Sequence, residues 1–195
     1  IRKTDIMKIT TIVLTFGTNG HLTECRKSLE ASQCLGIDHQ ILIVDNSKEN
    51  LGFTGGNNKG IREALEQKSD AVLILNDDTK VDPRALCKMA EILQSDHAIG
   101  IVVPKIYFYL GFEYHKDRYA DSDRGRVIWY AGGSIDWQNV LGVHRGVDEV
   151  DHGQFDSPTD VTFATGCAMM VQRRVFQRIG LFDDRYFLYL EDADL

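Results

Sequence analysis

The chain has 195 residues, 43% of them apolar, which is enough for one substantial buried core and fits a single domain. Its formal net charge of -7 excludes a nucleic-acid partner bound through phosphate neutralisation, because no run of Lys and Arg supplies the surface for it. No apolar run approaches the length that spans a bilayer, and the first residues carry no secretory pattern.

Ile9-Thr10-Thr11-Ile12-Val13-Leu14-Thr15 is a short, β-branched apolar run of the kind that parallel sheets bury on both faces. After the polar turn Gly17-Thr18-Asn19-Gly20, the residues Leu22, Cys25 and Leu29 recur at helical spacing to about Ser32. Ile41 to Asp45 is a second buried strand ending on an acid. Residues 50–60 read as a Gly- and Asn-rich loop opening a helix whose apolar face is Ile61, Ala64 and Leu65. Ala71 to Leu75 is a third strand, running into Asn76-Asp77-Asp78. Asp82-Pro83 reads as the cap and first position of a helix striped by Leu86, Met89, Ala90 and Leu93, and Ile99 to Val103 as a fourth strand. From Tyr107 to Asp160 the pattern loosens into aromatic, Gly and charged stretches, an excursion rather than a second domain. Asp160 to Ala164 and Ala168 to Val171 predict strands about a turn at Gly166, and Arg173 to Ile179 a helix stopped by Gly180.

Strands alternating with helices predict an α/β fold with a mostly parallel central sheet flanked by helices, and such sheets bind ligands beyond the carboxyl ends of their strands. Thr15-Phe16, Asp45-Asn46 and Asn76-Asp77-Asp78 all fall at that edge. Asn76-Asp77-Asp78-Thr79 offers oxygen ligands suited to Mg²⁺ or Mn²⁺ shared with substrate phosphates. It equally fits a strand-ending turn in which Asp and Asn cap the backbone. Asn50 to Gly60 has groups to offer a nucleotide or sugar but no phosphate-loop spacing, and its composition alone favours a turn. Asp183-Asp184 and Glu191-Asp192-x-Asp194 flank Tyr186-Phe187-Leu188-Tyr189. A carboxylate against apolar walls gains the proton affinity of a general base, while a solvated acidic segment is the plainer reading.

The four cysteines, Cys25, Cys34, Cys87 and Cys167, are scattered without a Cys-x-x-Cys pair; this predicts neither a zinc site nor a disulfide framework and fits a reducing, cytosolic setting. Cys167, with no adjacent His, reads as a small buried thiol, and the six histidines show no metal-ligand spacing.

The ordered blocks Ile-Val-Leu-Thr-Phe (12–16), Ile-Val-Asp-Asn-Ser (43–47), Asn-Leu-Gly-Phe-Thr-Gly-Gly-Asn-Asn-Lys-Gly-Ile (50–61), Leu-Asn-Asp-Asp-Thr (75–79), Ala-Thr-Gly-Cys-Ala-Met-Met-Val (164–171) and the run from Gly180 to Leu195 resemble the family 2 glycosyltransferases, and among them the bacterial rhamnosyltransferase-like branch. The resemblance implies a GT-A (Rossmann-like) fold with a smaller mixed acceptor-side region, a dTDP- or UDP-sugar donor, a divalent metal (Mg²⁺ or Mn²⁺), and inversion at the anomeric carbon. By position, Thr15 and Phe16 would line the base pocket, Asp45 would contact the base, and Asn76 would lie near the ribose. Asp78 would bind the metal with Asp77 beside it. Asn58 and Lys59 would approach the donor, and Gly166 and Cys167 would border the sugar and acceptor cleft. Asp192 would be the general base, with Glu191 orienting it.

Residues 1–195 would then form one domain, 1–105 the nucleotide-binding half and 106–195 the acceptor-side half, cut short at the C-terminus. The expected acceptor is a glycan or lipid-linked hydroxyl in cell-surface polysaccharide synthesis, in the cytoplasm and compatible with peripheral association at the inner face of the membrane. A non-catalytic nucleotide-sugar-binding protein is the rival of a different class. A phosphohydrolase of the haloacid-dehalogenase type is a weaker one, because Asn76 stands where it needs a nucleophilic Asp. Two departures from the family pattern bear on the structure. Gly17-Thr18-Asn19 follows Thr15-Phe16 where the family usually has Thr-Tyr-Asn, and only Lys48 and Glu49 separate Ser47 from Asn50, so either a strand at the sheet edge is deleted or a segment is omitted there.

Overall fold

A computed structural model describes residues 6–32, 34–139 and 141–195. In chain order the elements are β1 (Met7–Thr15), α1 (Gly20–Glu30), β2 (Ile37–Asp45), α2 (Gly52–Glu66), β3 (Ala71–Asn76), α3 (Ala85–Ser95), β4 (Ile101–Val102), β5 (Ile106–Tyr107), a 3₁₀ turn (Lys116–Arg118), β6 (Ile128–Tyr130), β7 (Gly133–Asp136), β8 (Leu141–His144), β9 (Ala168–Gln172), α4 (Arg173–Ile179) and α5 (Glu191–Asp194). They form two compact units. One takes the chain up to Val102 together with Thr165–Leu195, and the other is Val103–Ala164. β9 returns to the first unit's sheet, so Thr165–Leu195 share a unit with the chain up to Val102.

That sheet has five strands in the order β2-β1-β3-β9-β4. β1 lies between β2 and β3 and is parallel to both, while β9 is antiparallel to β3 and β4. The continuous apolar strands are buried as their sequence requires: Ile9, Ile12 and Val13 of β1, Val72 to Ile74 of β3 and Met169 to Val171 of β9 are inaccessible. Each such aliphatic side chain contributes about 1.5–3 kcal/mol by leaving water. Among the described residues β2 forms one edge of this sheet and β4 the other. α1 begins at Asn19, whose side chain caps Leu22 N at 2.7 Å, and α4 ends at Gly180 with φ of 94°.

Four expectations are corrected. Residues 52–60 are not a loop but the first turns of α2. The glycines are there for close packing on the sheet: a Cβ at Gly56 would stand 2.4 Å from Leu14 Cδ1, and one at Gly60 2.8 Å from Ile12 Cγ2. Residues 160–164 form no strand, only an isolated bridge between Phe163 and Gly133. Asp82 does not start α3 directly; its Oδ1 accepts from Arg84 N at 2.8 Å in a turn before the helix begins at Ala85. Finally, Cys34, just beyond α1, and Cys87, in α3, form a disulfide with Cα atoms 5.6 Å apart. The two lie 53 residues apart, so spacing carried no hint of the pair, and the fold alone juxtaposes them. With that bridge the inference of a reducing compartment loses its basis.

In the second unit, β5 pairs with β6 and β7 with β8, each antiparallel. Tyr130 is fully buried and donates to Phe163 O at 2.6 Å; His144 packs edge-on against its ring at 5.1 Å. Lys105 bridges Asp151 and Asp156 at 2.6 Å each. Among the described residues no helix is long and apolar enough to cross a membrane.

Candidate functional site

Parallel pairing aligns the ends of the first three strands: Thr15 is level with Asp45, and Leu14 with Asn76. β9 runs the other way, so its beginning reaches the same edge, with Ala168 opposite Leu75 and Asn76 N donating to Cys167 O at 3.0 Å. Since β2 and β3 lie on opposite sides of β1, the chain reverses its direction of winding there, the place where open α/β sheets form a ligand crevice.

Asp77 is held at that edge by its neighbours. The hydroxyl of buried Thr15 donates to Asp77 Oδ2 at 2.6 Å, and Asn19 Nδ2 reaches the same oxygen at 3.0 Å. Asp78 is exposed, and among the described residues no hydrogen bond or ion pair ties its carboxylate. Its charge reaches both Cys25 and Cys167. Burial, with the charge of Asp78 added, pushes the Cys167 thiol up to about 12, and burial likewise raises Cys25, so both stay protonated. Among the described residues no group of three or more His, Cys, Asp or Glu could hold a metal by itself. What remains is one free carboxylate, which with substrate phosphates is a common way for Mg²⁺ to be held.

Asp45 is fixed across the edge: Ser47 N and Gly17 N donate to its Oδ1 at 2.8 and 3.0 Å, and these bonds hold its carboxyl below the usual 3.8. Between them Phe16 presents a ring that is 65% exposed. Asn76 binds neighbouring strands and turn, its carbonyl accepting from Thr79 Oγ1 at 2.8 Å.

Gly166 N donates to Asp192 Oδ2 at 2.8 Å, which ties α5 to the turn before β9. A side chain on Gly166 would meet Phe53 Cζ at 2.8 Å and Asp192 Cβ at 3.4 Å, so the Phe53 ring of α2 would have to shift to admit one. Asp192 stays partly exposed, whereas Glu191 is buried with its Oε2 unpartnered. Burial pushes the Glu191 carboxyl above its ordinary value, and the Asp192 charge adds to this. α5 is entered through Tyr189 and Leu190, consecutive non-glycine residues at φ of 72° and 71°, a strained approach of the kind found at functional sites.

The structure brings Thr15, Phe16, Asp45, Asn76, Asp77, Asp78, Gly166, Cys167, Glu191 and Asp192 to one region of the first unit. It does not bring Asn58 and Lys59 there. Asn58 is fully buried and committed: Nδ2 donates to Phe182 O at 2.9 Å and Asp184 Oδ1 at 2.7 Å, while Oδ1 accepts from Phe182 N at 3.1 Å. Lys59 lies on the outer face of α2 with Arg62, Glu63 and Glu66. Asn19 was the residue that sequence reasoning missed. Its signal was present, an Asn immediately ahead of a helical apolar pattern, but a cap reading does not disclose the second bond to Asp77.

Comparison with known proteins gives three results. The family profile described as "Glycosyl transferase family 2" matches residues 22–180. A curated relative, the low-salt glycan biosynthesis hexosyltransferase Agl10 of Haloferax volcanii, is 27% identical over 157 residues, 80% of this chain and 45% of the relative. A solved mannosyltransferase from Pyrobaculum calidifontis, PcManGT in complex with GDP-Man and Mn²⁺, shares the fold with a TM-score of 0.55 at 12% identity, over 95% of this chain and 49% of that one. The chain thus spans less than half the length of these relatives.

Proposed function

Because this chain belongs to glycosyl transferase family 2 and has a GT-A fold, we propose that it transfers a hexose from a nucleoside-diphosphate donor to a hydroxyl of a glycan or lipid-linked acceptor, with inversion. The observation that carries the reading is that one sheet edge gathers these groups: Asp77 is clamped there, Asp78 follows it exposed, Cys167 O binds Asp77's neighbour Asn76 across the edge, and Gly166 N, one residue before Cys167, holds Asp192. A donor-binding protein that performs no transfer has no need of a second carboxylate anchored at the turn that leads into the same sheet edge.

In this reading Asp192 accepts the proton of the acceptor hydroxyl, and that oxygen attacks the anomeric carbon. The bond from the anomeric carbon to the diphosphate breaks, and its electron pair leaves with the nucleoside diphosphate. Buried Glu191 positions Asp192, and the exposed ring of Phe16 with Asp45 receives the base. Mg²⁺ or Mn²⁺ held by Asp78 and phosphate oxygens would neutralise the charge developing on the leaving diphosphate. The Mn²⁺ and GDP-Man of the archaeal mannosyltransferase structure support that part of the reading. Donors of the dTDP and UDP series, dTDP-rhamnose among them, are the first to test, with GDP-mannose beside them.

The test is a screen of these nucleotide sugars for thermal stabilisation with and without Mg²⁺ or Mn²⁺, since a ligand that binds the folded state raises apparent stability by mass action. The expected result is metal-dependent binding that falls at least about tenfold in Asp78→Ala, because a one-carboxylate site loses its sole protein ligand. Binding that needs no metal and survives Asp78→Ala in titration calorimetry overturns the reading.

A further inference from the structure

α1 is thinly seated. It has 11 residues, short for a helix to persist by itself, and along them only Cys25 and Leu29 are buried. Side chains of the helix and of its cap tie it to the segment that leaves β3. Asn19 Nδ2 donates to Asp77 Oδ2 at 3.0 Å, Cys25 Sγ reaches Asn76 O at 3.7 Å and Thr79 Oγ1 at 3.5 Å, and Ser28 Oγ accepts from Val81 N at 3.0 Å. The order is the same on both sides, Asn19, Cys25 and Ser28 against Asp77, Thr79 and Val81, so the acid-bearing turn lies along α1 from its cap to its third turn. Two of these contacts go through sulfur, a weak hydrogen-bonding partner. The next rung in the same order is covalent: Cys34, beyond α1, is joined to Cys87 in the first turn of α3.

We propose that the Cys34–Cys87 disulfide is a reducible brace of the donor site: closed, it clamps α1 against the segment carrying Asp77 and Asp78; opened by a dithiol, it lets α1 loosen and donor affinity fall. This rests on the donor-binding reading given above. A reductant can reach the bond, since Cys34 lines a surface cleft of about 430 Å³ with Glu30, Ile37 and His39. In the exchange a thiolate of the dithiol attacks Cys34 Sγ, the bond to Cys87 breaks, and Cys87 leaves as a thiolate that takes a proton. The second thiol of the reagent then closes on the first and releases Cys34 as a thiol. The reagent departs as a cyclic disulfide, and two electrons and two protons have passed to the protein. Cys25 and Cys167 are thiols in both states and take no part. Opening falls on α1 and not on the sheet. β1 and β3 are paired with each other and buried, whereas a helix with two buried residues belongs to the elements that open locally. A three-turn helix opens as one cooperative unit, and with it goes Asn19, which both caps α1 and holds Asp77.

The experiment compares the whole chain after equilibration with oxidised glutathione and after reduction with dithiothreitol. On denaturation the oxidised protein should show two titratable thiols and the reduced protein four. Amide hydrogen exchange across α1 should be at least about tenfold faster in the reduced form, with β1 and β3 unchanged. Affinity for the tightest-binding of UDP-glucose, dTDP-rhamnose and GDP-mannose, measured with Mg²⁺, should fall about three- to tenfold on reduction and return on reoxidation, since apparent affinity scales with the fraction of molecules in the competent state. The double substitution Cys34→Ser with Cys87→Ser should match the reduced form and be unresponsive to dithiothreitol. Equal exchange of α1 in the two forms overturns the proposal. So does a melting temperature lowered by reduction with donor affinity unchanged, which makes the bond a staple of the fold only. Four thiols after glutathione treatment overturn it too, because the bond then does not form. If neither form binds a nucleotide sugar while α1 and residues 76–81 lose protection together on reduction, the donor reading fails and the brace of the acid-bearing turn stands.

Discussion

The first turns of α2 and the acid-bearing strand ends were both expected beside the donor, the one for its glycines and amides, the other for its carboxylates. The structure uses them oppositely. Gly56 and Gly60 let α2 lie close on β1 and β2, and Asn58 locks the helix to residues 182–184 with its amide fully occupied. At the strand ends, Asp77 is held from one side while Asp78 stays exposed, and Asp192 is anchored through one oxygen yet partly accessible. Residue type was similar in its promise at both places. Whether a polar group is satisfied by the protein itself separates packing from chemistry.

Substitution at the two places should therefore fail in different assays. The largest effect is expected for Asp192→Asn, which keeps the shape and the bond from Gly166 N but removes the base: transfer should fall by about 10²–10⁴-fold with donor affinity unchanged. Full transfer by this variant, in a turnover assay on any acceptor the wild type uses, would take Asp192 out of the chemistry. Next comes Asn58→Ala, which strands Phe182 N and Phe182 O at a buried position and removes a bond to the exposed Asp184 carboxylate; a stability loss of about 2–4 kcal/mol in denaturant unfolding is expected, with donor affinity per folded molecule unaltered. A loss of affinity without loss of stability would reverse the assignment and return this helix to the site.

The parts of the molecule legible in the sequence were those fixed by local patterning. β1 and β3 could be read because doubly buried strands are continuous apolar runs; β2, also read as buried, is an edge strand of which only Val44 is buried, and the shared parallel direction put Thr15, Asp45 and Asn76 at one edge. Arg173–Ile179 with its Gly180 stop was readable for the same reason. What could not be read depended on contacts between distant residues. The glycines of α2 look like a flexible loop until the strand beneath them is known, and Cys34 and Cys87 look unrelated until α1 and α3 are packed. Phe163 lies in an apolar run that resembles a strand, but its main tertiary bonds are to Tyr130 and Gly133 in the second unit.

Asn19 joins the two categories, because one side chain serves both packing and site. Its Oδ1 caps α1 through Leu22 N at 2.7 Å, and its Nδ2 steadies Asp77 at 3.0 Å. Asn19→Ala removes both bonds and should cost about 1 kcal/mol of stability from the cap alone. Asn19→Asp separates them. A carboxylate caps a helix as well as an amide does, so the cap itself is kept, yet it cannot donate to Asp77 and sets a like charge against it. Donor affinity should then fall about tenfold, the size of one lost charge-assisted hydrogen bond. If calorimetry instead finds Asn19→Asp binding donor as tightly as wild type, the Asp77 clamp is a turn-stabilising contact, and only Asp78 among the strand-end acids serves the donor.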